Sequence, residues 1–284
     1  MILINASLAA LLLWLLLLVL TPFHLANRLF YFPNSTVYST PQQQPTPCRD
    51  VLFKSEDGTE LHGWFLEAEG GADSALGTLL HCHGNAQNIT SHVGQVRWLT
   101  AHGFNVFTFD YRGYGRSQGA PSRQGIHEDA NAALARLRTL EGVDPQRIVV
   151  LGQSLGGAIA LALVGEGNRA GVRGLVIDSS FASYVSVANT VFGDSPFSVP
   201  LVSCLVSDDH APGPNLKNRG EIPLVVIHGE RDATVPFSRG VKIHALAAPP
   251  KEFWPVANGR HMDALIRRED IRQRLVAQLI SWCE

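Results

Sequence analysis

Residues 147–160 read RIVVLGQSLGGAIA. A β-branched apolar run stops at Gly152-Gln153-Ser154-Leu155-Gly156 and passes at once into a helix pattern of small apolar residues. A serine that is to attack a carbonyl must stand on a sharp strand-to-helix turn, where side chains at the flanking positions would collide with neighbouring elements. Gly152 and Gly156 remove those side chains. The pattern alone says little in a chain with 26 glycines, and it occurs a second time at Gly115-Arg116-Ser117-Gln118-Gly119. There the apolar strand, Phe104 to Asp110, ends several residues earlier and polar, Pro-containing sequence follows, so Ser117 reads as a loop serine. Ser154 has a strand directly before it and the helix SLGGAIALALV directly after it, which is the context the motif requires.

A nucleophilic serine needs a base, and the base needs an orienting carboxylate. PLVVIHGERDATVP (Pro223 to Pro236) reads as a buried strand ending in a turn that presents Asp232. KEFWPVANGRHMDAL (Lys251 to Leu265) reads as a strand and then a loop presenting His261. The catalytic residues expected are therefore Ser154, Asp232 and His261 in that chain order, the order of α/β-hydrolases rather than of chymotrypsin-type or subtilisin-type enzymes. Each polar residue also has a structural reading, as a turn cap or loop residue. Asp178, in GLVIDSS, is a rival acid because it too lies at the carboxyl end of an expected strand.

The chemistry also calls for two backbone amides aimed at the charge that develops on the substrate oxygen. TLLHCHGNAQN supplies a strand, Thr78 to His83, that breaks at Gly84-Asn85. Asn85 and Leu155 are the expected oxyanion donors. His81, Cys82 and His83 are consecutive on a strand and point to alternating faces, so they do not converge on a metal; His83 is expected to brace the loop.

Strands are expected near 50–55, 61–67, 78–83, 104–110, 147–152, 174–178, 223–228 and 252–256, and helices at about 91–102, 125–140, 154–165, 238–247 and 263–282. The first two strands are joined by the turn Glu56-Asp57-Gly58-Thr59, and the later spacing suits right-handed crossovers. The expected fold class is α/β: a mainly parallel eight-stranded sheet flanked by helices, spanning residues 50–284. Between Phe181 and Glu221 the pattern weakens, and 181–221 reads as a small cap insertion over the pocket, or alternatively as an ordinary surface excursion.

The chain has 284 residues, 17% of them charged, and a net charge of −2, which suits one catalytic domain and gives no sign of nucleic-acid binding. Four scattered cysteines, Cys48, Cys82, Cys204 and Cys283, form no metal-ligating or disulfide spacing. No cofactor is indicated. Residues 8–20, LAALLLWLLLLVL, lack any polar side chain. With their flanks they predict a single-pass membrane anchor over 1–25, followed by a linker over 26–49. A cleaved signal peptide is the competing reading, set against by the absence of a basic start and by the aromatic Phe30, Tyr31 and Phe32 that follow. The side of the membrane on which the catalytic domain lies stays open.

Taken together, the anchor, HGNAQN (His83 to Asn88), FNVFTFDYRGYGRSQG (Phe104 to Gly119), GQSLGG, IDSSFASY (Ile177 to Tyr184) and IHGERDATVP resemble the YfhR-type α/β-hydrolases. These are similar in turn to the eukaryotic bud-emergence and ABHD hydrolases. The resemblance covers nearly the whole chain. It implies a serine esterase or thioesterase with Ser154 as nucleophile, Asp232 as acid and His261 as base, acting on small-molecule or lipid-like acyl esters at a bacterial inner membrane. Peptide hydrolysis, acyl transfer, and a non-catalytic binding protein on the same fold remain alternatives.

Overall fold

The computed structural model describes residues 30–192 and 206–284. Eight strands form one sheet: β1 Cys48–Lys54, β2 Glu60–Leu66, β3 Gly77–Cys82, β4 Phe104–Asp110, β5 Ile148–Gln153, β6 Val172–Asp178, β7 Leu224–Gly229 and β8 Lys251–Val256. Their spatial order is β1-β2-β4-β3-β5-β6-β7-β8. The pairs β1/β2 and β2/β4 are antiparallel and every other pairing is parallel. Parallel strands buried on both faces require continuous apolar runs, and β4, β5 and β7 are buried at every position.

Successive side chains on these strands feed two cores. Leu80, Val150, Ile177 and Val226 join one on the side of helices α2 (Arg123–Leu137) and α3 (Leu155–Gly165). Leu79, Val149, Val176 and Val225 join another, closed by the C-terminal helix Glu269–Cys283 through Leu275 and Leu279. Helix α3 is buried along its whole length, which explains its small side chains.

All eight expected strands are present, displaced by two residues or fewer at either end. The expected helix 91–102 is absent as such. It is a short helix α1, Ile89–His92, followed by two 3-10 segments, Val93–Gln95 and Arg97–His102. The reason is visible in the spacing: Val93, Val96 and Leu99, all buried, recur every third residue, which suits three residues per turn better than 3.6. The expected helix 263–282 is interrupted at Arg268, giving Ala264–Arg267 and Glu269–Cys283.

The single-pass membrane localisation expected from the sequence is corrected by the structure. Among the described residues no helix is long and apolar enough to cross a membrane. Helix α2 and the C-terminal helix have 15 residues each, so they span roughly 22 Å against the ~30 Å of a hydrocarbon core. The apolar stretch behind that expectation, residues 1–25, lies outside the described residues.

The loop leaving β4 is fixed by Arg112. Its backbone amide and guanidinium both bond Asp129 of α2, at 2.8 Å to Oδ2 and 2.8 Å to Oδ1, while Nη1 reaches Asp57 Oδ2 at 2.8 Å and Nη2 reaches Ser55 Oγ at 3.1 Å. One buried cation therefore ties the β4 loop, α2 and the β1–β2 turn together. Removing one partner of a buried pair leaves the other charge uncompensated. Asp129→Ala is expected to lower unfolding free energy in urea by about 3 kcal/mol or more; a loss below about 1 kcal/mol would contradict the clamp.

A second polar feature crosses the sheet. His81 of β3 is fully buried between Thr108 Oγ1 (3.0 Å) and Gln153 Oε1 (3.2 Å), and burial pushes its pKa down to about 3. The folded protein then holds fewer protons than the unfolded chain below the ordinary histidine value of about 6.5, so stability falls as pH drops from there toward 3. His81 alone is expected to contribute a slope of up to about 1.4 kcal/mol per pH unit between pH 6 and 4. Urea denaturation across that range should show a slope smaller by about this amount in His81→Gln, and an unchanged slope would contradict the assignment.

Candidate active site

Ser154 follows β5 directly and carries φ 52°, ψ −118°. A non-glycine residue in this region is strained by about 1–3 kcal/mol and persists only when its surroundings impose it. The surroundings here are close. A Cβ on Gly152 would lie 2.3 Å from the Gly156 carbonyl oxygen, and one on Gly156 would lie 2.0 Å from that of Cys82. The Ser154 amide bonds the Asp178 carbonyl at 2.9 Å and its carbonyl accepts from Ser180 Oγ at 2.7 Å, so the turn is pinned from β6 on both sides.

The three residues singled out in the sequence meet. His261 Nε2 lies 3.1 Å from Ser154 Oγ, and His261 Nδ1 lies 2.7 Å from Asp232 Oδ2. A carboxylate only accepts, so the proton sits on Nδ1 and Nε2 presents a lone pair to the serine hydroxyl. Asp232 Oδ1 accepts from the amides of Thr234 (2.9 Å) and Val235 (2.8 Å). Burial acts to raise the Asp232 pKa, but the hydrogen bond and charge of His261 and those two amides outweigh it and hold the carboxyl below the usual carboxylate value.

Asp178, the rival acid, does not reach His261. It takes part in a line of hydrogen bonds that crosses four neighbouring strands: Thr108 Oγ1 to His81, His81 to Gln153 Oε1, Gln153 Nε2 to Asp178 Oδ2 (2.9 Å), and Ser179 Oγ to Asp178 Oδ1 (2.9 Å). Ser179 Oγ in turn accepts the Met262 amide at 3.0 Å. Asp178 thus fastens the loop that carries His261. Ser117, in the second serine motif, is buried and structural: it donates to the Asp110 carbonyl at 2.7 Å and accepts the His62 amide at 3.0 Å.

Of the two expected oxyanion donors, Leu155 begins α3 beside Ser154, and Asn85 lies in the loop whose backbone packs on Gly156. Neither amide has an acceptor among the described residues. His83 braces that loop through Nδ1 on the Gly84 carbonyl at 2.7 Å. Sequence reading missed the rest of the scaffold. Tyr111 donates to the His83 carbonyl at 3.0 Å, and Tyr114 donates to the Asn85 carbonyl at 2.8 Å. The Asn85 side chain is claimed by the segment before the sheet: Nδ2 donates to the Phe30 carbonyl at 2.6 Å, and Oδ1 faces the Phe32 amide at 3.4 Å. Phe32–Pro33 pairs in parallel with Ala86–Gln87. Asn88 Nδ2 reaches the carbonyls of Asn34 and Thr36, and Thr90 Oγ1 accepts the Tyr38 amide. Residues 30–38 therefore form a strap across the loop. The double tyrosine of DYRGYG was the one signal in the sequence that pointed to this support.

Comparison with known proteins agrees with this architecture. A family model described as the alpha/beta hydrolase fold matches residues 77–202. The chain is 38% identical over 259 residues to the protein YfhR of Escherichia coli K12, covering 90% of this chain and 88% of that one. It is 33% identical over 256 residues to the alpha/beta hydrolase domain-containing protein WAV2 of Arabidopsis thaliana, covering 85% and 81%. With bem46 of Schizosaccharomyces pombe it shares 28% identity over 233 residues, covering 80% and 76%. Among solved structures, the Pyrococcus furiosus esterase Pf2001 superposes with a TM-score of 0.70 at 21% identity, covering 89% of this chain and 100% of that one, a likeness of fold. With its strand order, its strained serine turn and relatives of this similarity, the chain belongs to the YfhR-like, bem46-related family of α/β-hydrolases.

Proposed function

We propose that the protein is a serine hydrolase that cleaves carboxylic ester or thioester bonds through an acyl-enzyme. The observation that carries this reading is the continuous contact from Asp232 through His261 to Ser154, 2.7 Å and 3.1 Å, on a serine held at positive φ. Ser154 Oγ attacks the carbonyl carbon while its proton passes to His261 Nε2. The negative charge that forms on the carbonyl oxygen faces the amides of Leu155 and Asn85. The leaving oxygen or sulfur takes the proton from His261 as its bond to carbon breaks. Water then attacks the acyl-enzyme, gives its proton to His261, and that proton returns to Ser154 as the acid departs. Asp232 stays ionised throughout and stabilises the imidazolium. The esterase named among the structural neighbours supports ester chemistry as the first to test.

Residues 181–221 are proposed as the cap. Phe181 and Tyr184 stack edge-on at 5.2 Å, and Tyr184 meets Phe30 of the strap at 5.7 Å. Both Phe181 and Tyr184 are buried, and the Arg123 guanidinium of α2 lies over the Tyr184 ring at 3.2 Å, so these contacts anchor the start of the proposed cap to the strap and to α2.

Ser154→Ala is expected to abolish fluorophosphonate labelling and to lower p-nitrophenyl acetate turnover by about four powers of ten with Tm unchanged. Asp232→Asn should reduce kcat by roughly 10⁴ through the wrong imidazole tautomer. Wild-type-like turnover in Ser154→Ala, or no labelling of folded wild type, would refute the reading. Tyr114→Phe removes the hydroxyl that holds the Asn85 carbonyl; kcat should fall about tenfold with KM little changed, and a KM effect alone would place Tyr114 in substrate binding instead.

A further inference from the structure

Far from Ser154, two histidines converge on one carboxylate. His127 comes from α2, Glu166 directly follows α3, and His210 lies on the return from the 181–221 segment. His127 Nε2 is 2.8 Å from Glu166 Oε2, and His210 Nδ1 is 3.1 Å and 3.2 Å from Oε1 and Oε2. One ligand atom from each residue lies within 4.8 Å of the other two. The 11 residues of α3 separate Glu166 from the nucleophile, roughly 16 Å along the helix. The cluster therefore takes no part in the proposed acyl transfer.

The hydrogen bonds around His210 decide where its proton lies. Gln124 Nε2 donates to Glu128 Oε1 at 2.9 Å, which orients the amide so that its Oε1 faces His210 Nε2 at 2.6 Å. An amide oxygen only accepts, so Nε2 carries the hydrogen and Nδ1 is the ring atom turned toward Glu166. A bare Nδ1 against a carboxylate is a pair of acceptors. Something positive must lie between them, either a proton on Nδ1 or a cation shared by the cluster. His127, 8% exposed, directs a second imidazole nitrogen at the same carboxylate.

We propose that His127, Glu166 and His210 bind a divalent transition-metal cation of the zinc class. Two imidazole nitrogens and a carboxylate oxygen are the donor set that zinc takes, whereas calcium and magnesium need more oxygens. Ligand atoms about 2.0–2.1 Å from zinc in a tetrahedron stand roughly 3.3 Å apart, close to the 2.8 Å and 3.1 Å seen here. The two rings stack at 4.2 Å, so binding requires His210 to turn; it is the loop member of the pair, with its side chain 22% exposed. Before that turn, the Gln124 contact on Nε2 leaves Nδ1 as the ligand atom of His210. The ion would fasten the return of the cap segment to α2 and α3.

Cobalt(II) added to the metal-stripped full-length chain is the direct test, because a tetrahedral site gives visible d–d bands. We expect those bands in the wild type, their displacement by zinc, and a rise in Tm of about 5 °C at zinc concentrations 100-fold above Kd. Glu166→Gln and His210→Ala should both lose the bands and the Tm rise; His210, on a loop, keeps the comparison interpretable if Glu166→Gln folds poorly. No bands in wild type, or bands that survive both substitutions, would overturn the site. So would a cluster whose stability responds to pH but not to zinc, since a proton would then be the bound cation.

Discussion

The φ of +52° at Ser154 is the constraint on which the rest of the site depends. It lifts one hydroxyl above the sheet, and nothing local to the residue favours it. Gly152 and Gly156 leave room for the backbones of α3 and of the loop after β3 to close around the turn. The Asp178 carbonyl and Ser180 hydroxyl then hold the serine's own amide and carbonyl from the neighbouring strand. Strain of this size is small beside the burial of α3, which packs its entire length into the core. The proposed nucleophile thus stands at the start of a helix that is buried at every position.

Around that point, each group of the proposed site is held by another that the proposed mechanism does not use. Asp232 is held by two amides of its own turn, and the His261 loop by Ser179 and Asp178. The loop of Asn85 is held by two tyrosines from the β4 loop and by the strap. The polar line from Thr108 to Met262 converges on Asp178, which accepts from Gln153 Nε2 on one side and from Ser179 Oγ on the other. Gln153 offers its oxygen to His81 Nε2 and its nitrogen to Asp178, and His81 Nδ1 accepts from Thr108 Oγ1 only while the ring stays neutral. Its burial ensures that it does.

What the sequence disclosed and what it concealed divide along the range of the interactions. The central strands were legible because a buried strand is a local apolar run, and the meeting of Ser154, Asp232 and His261 was legible because each lies in the turn or loop beyond the carboxyl end of a strand. The helix expected at 91–102 failed because Val93, Val96 and Leu99 are spaced for a tighter helix, a difference of about half a residue per turn. The polar line was invisible because its members lie on four strands scattered along the chain. The strap was invisible for a different reason: FYFPNSTVYST has no period, and much of its binding is done by carbonyl groups that every residue possesses.

That strap bears on how the protein is to be handled as an object of engineering. A fragment cut at the first strand of the sheet, near Cys48, would keep all eight strands of the main sheet and lose little of the core beyond Tyr31 and Phe30. It would nonetheless leave the Asn85 side chain without its two backbone partners and Asn88 without three of its acceptors. Chimeras, circular permutants and minimal fragments of this chain should therefore carry residues 30–40 along with the sheet. In this fold the stretch of chain that builds the sheet and the stretch that supports the proposed site have different lengths.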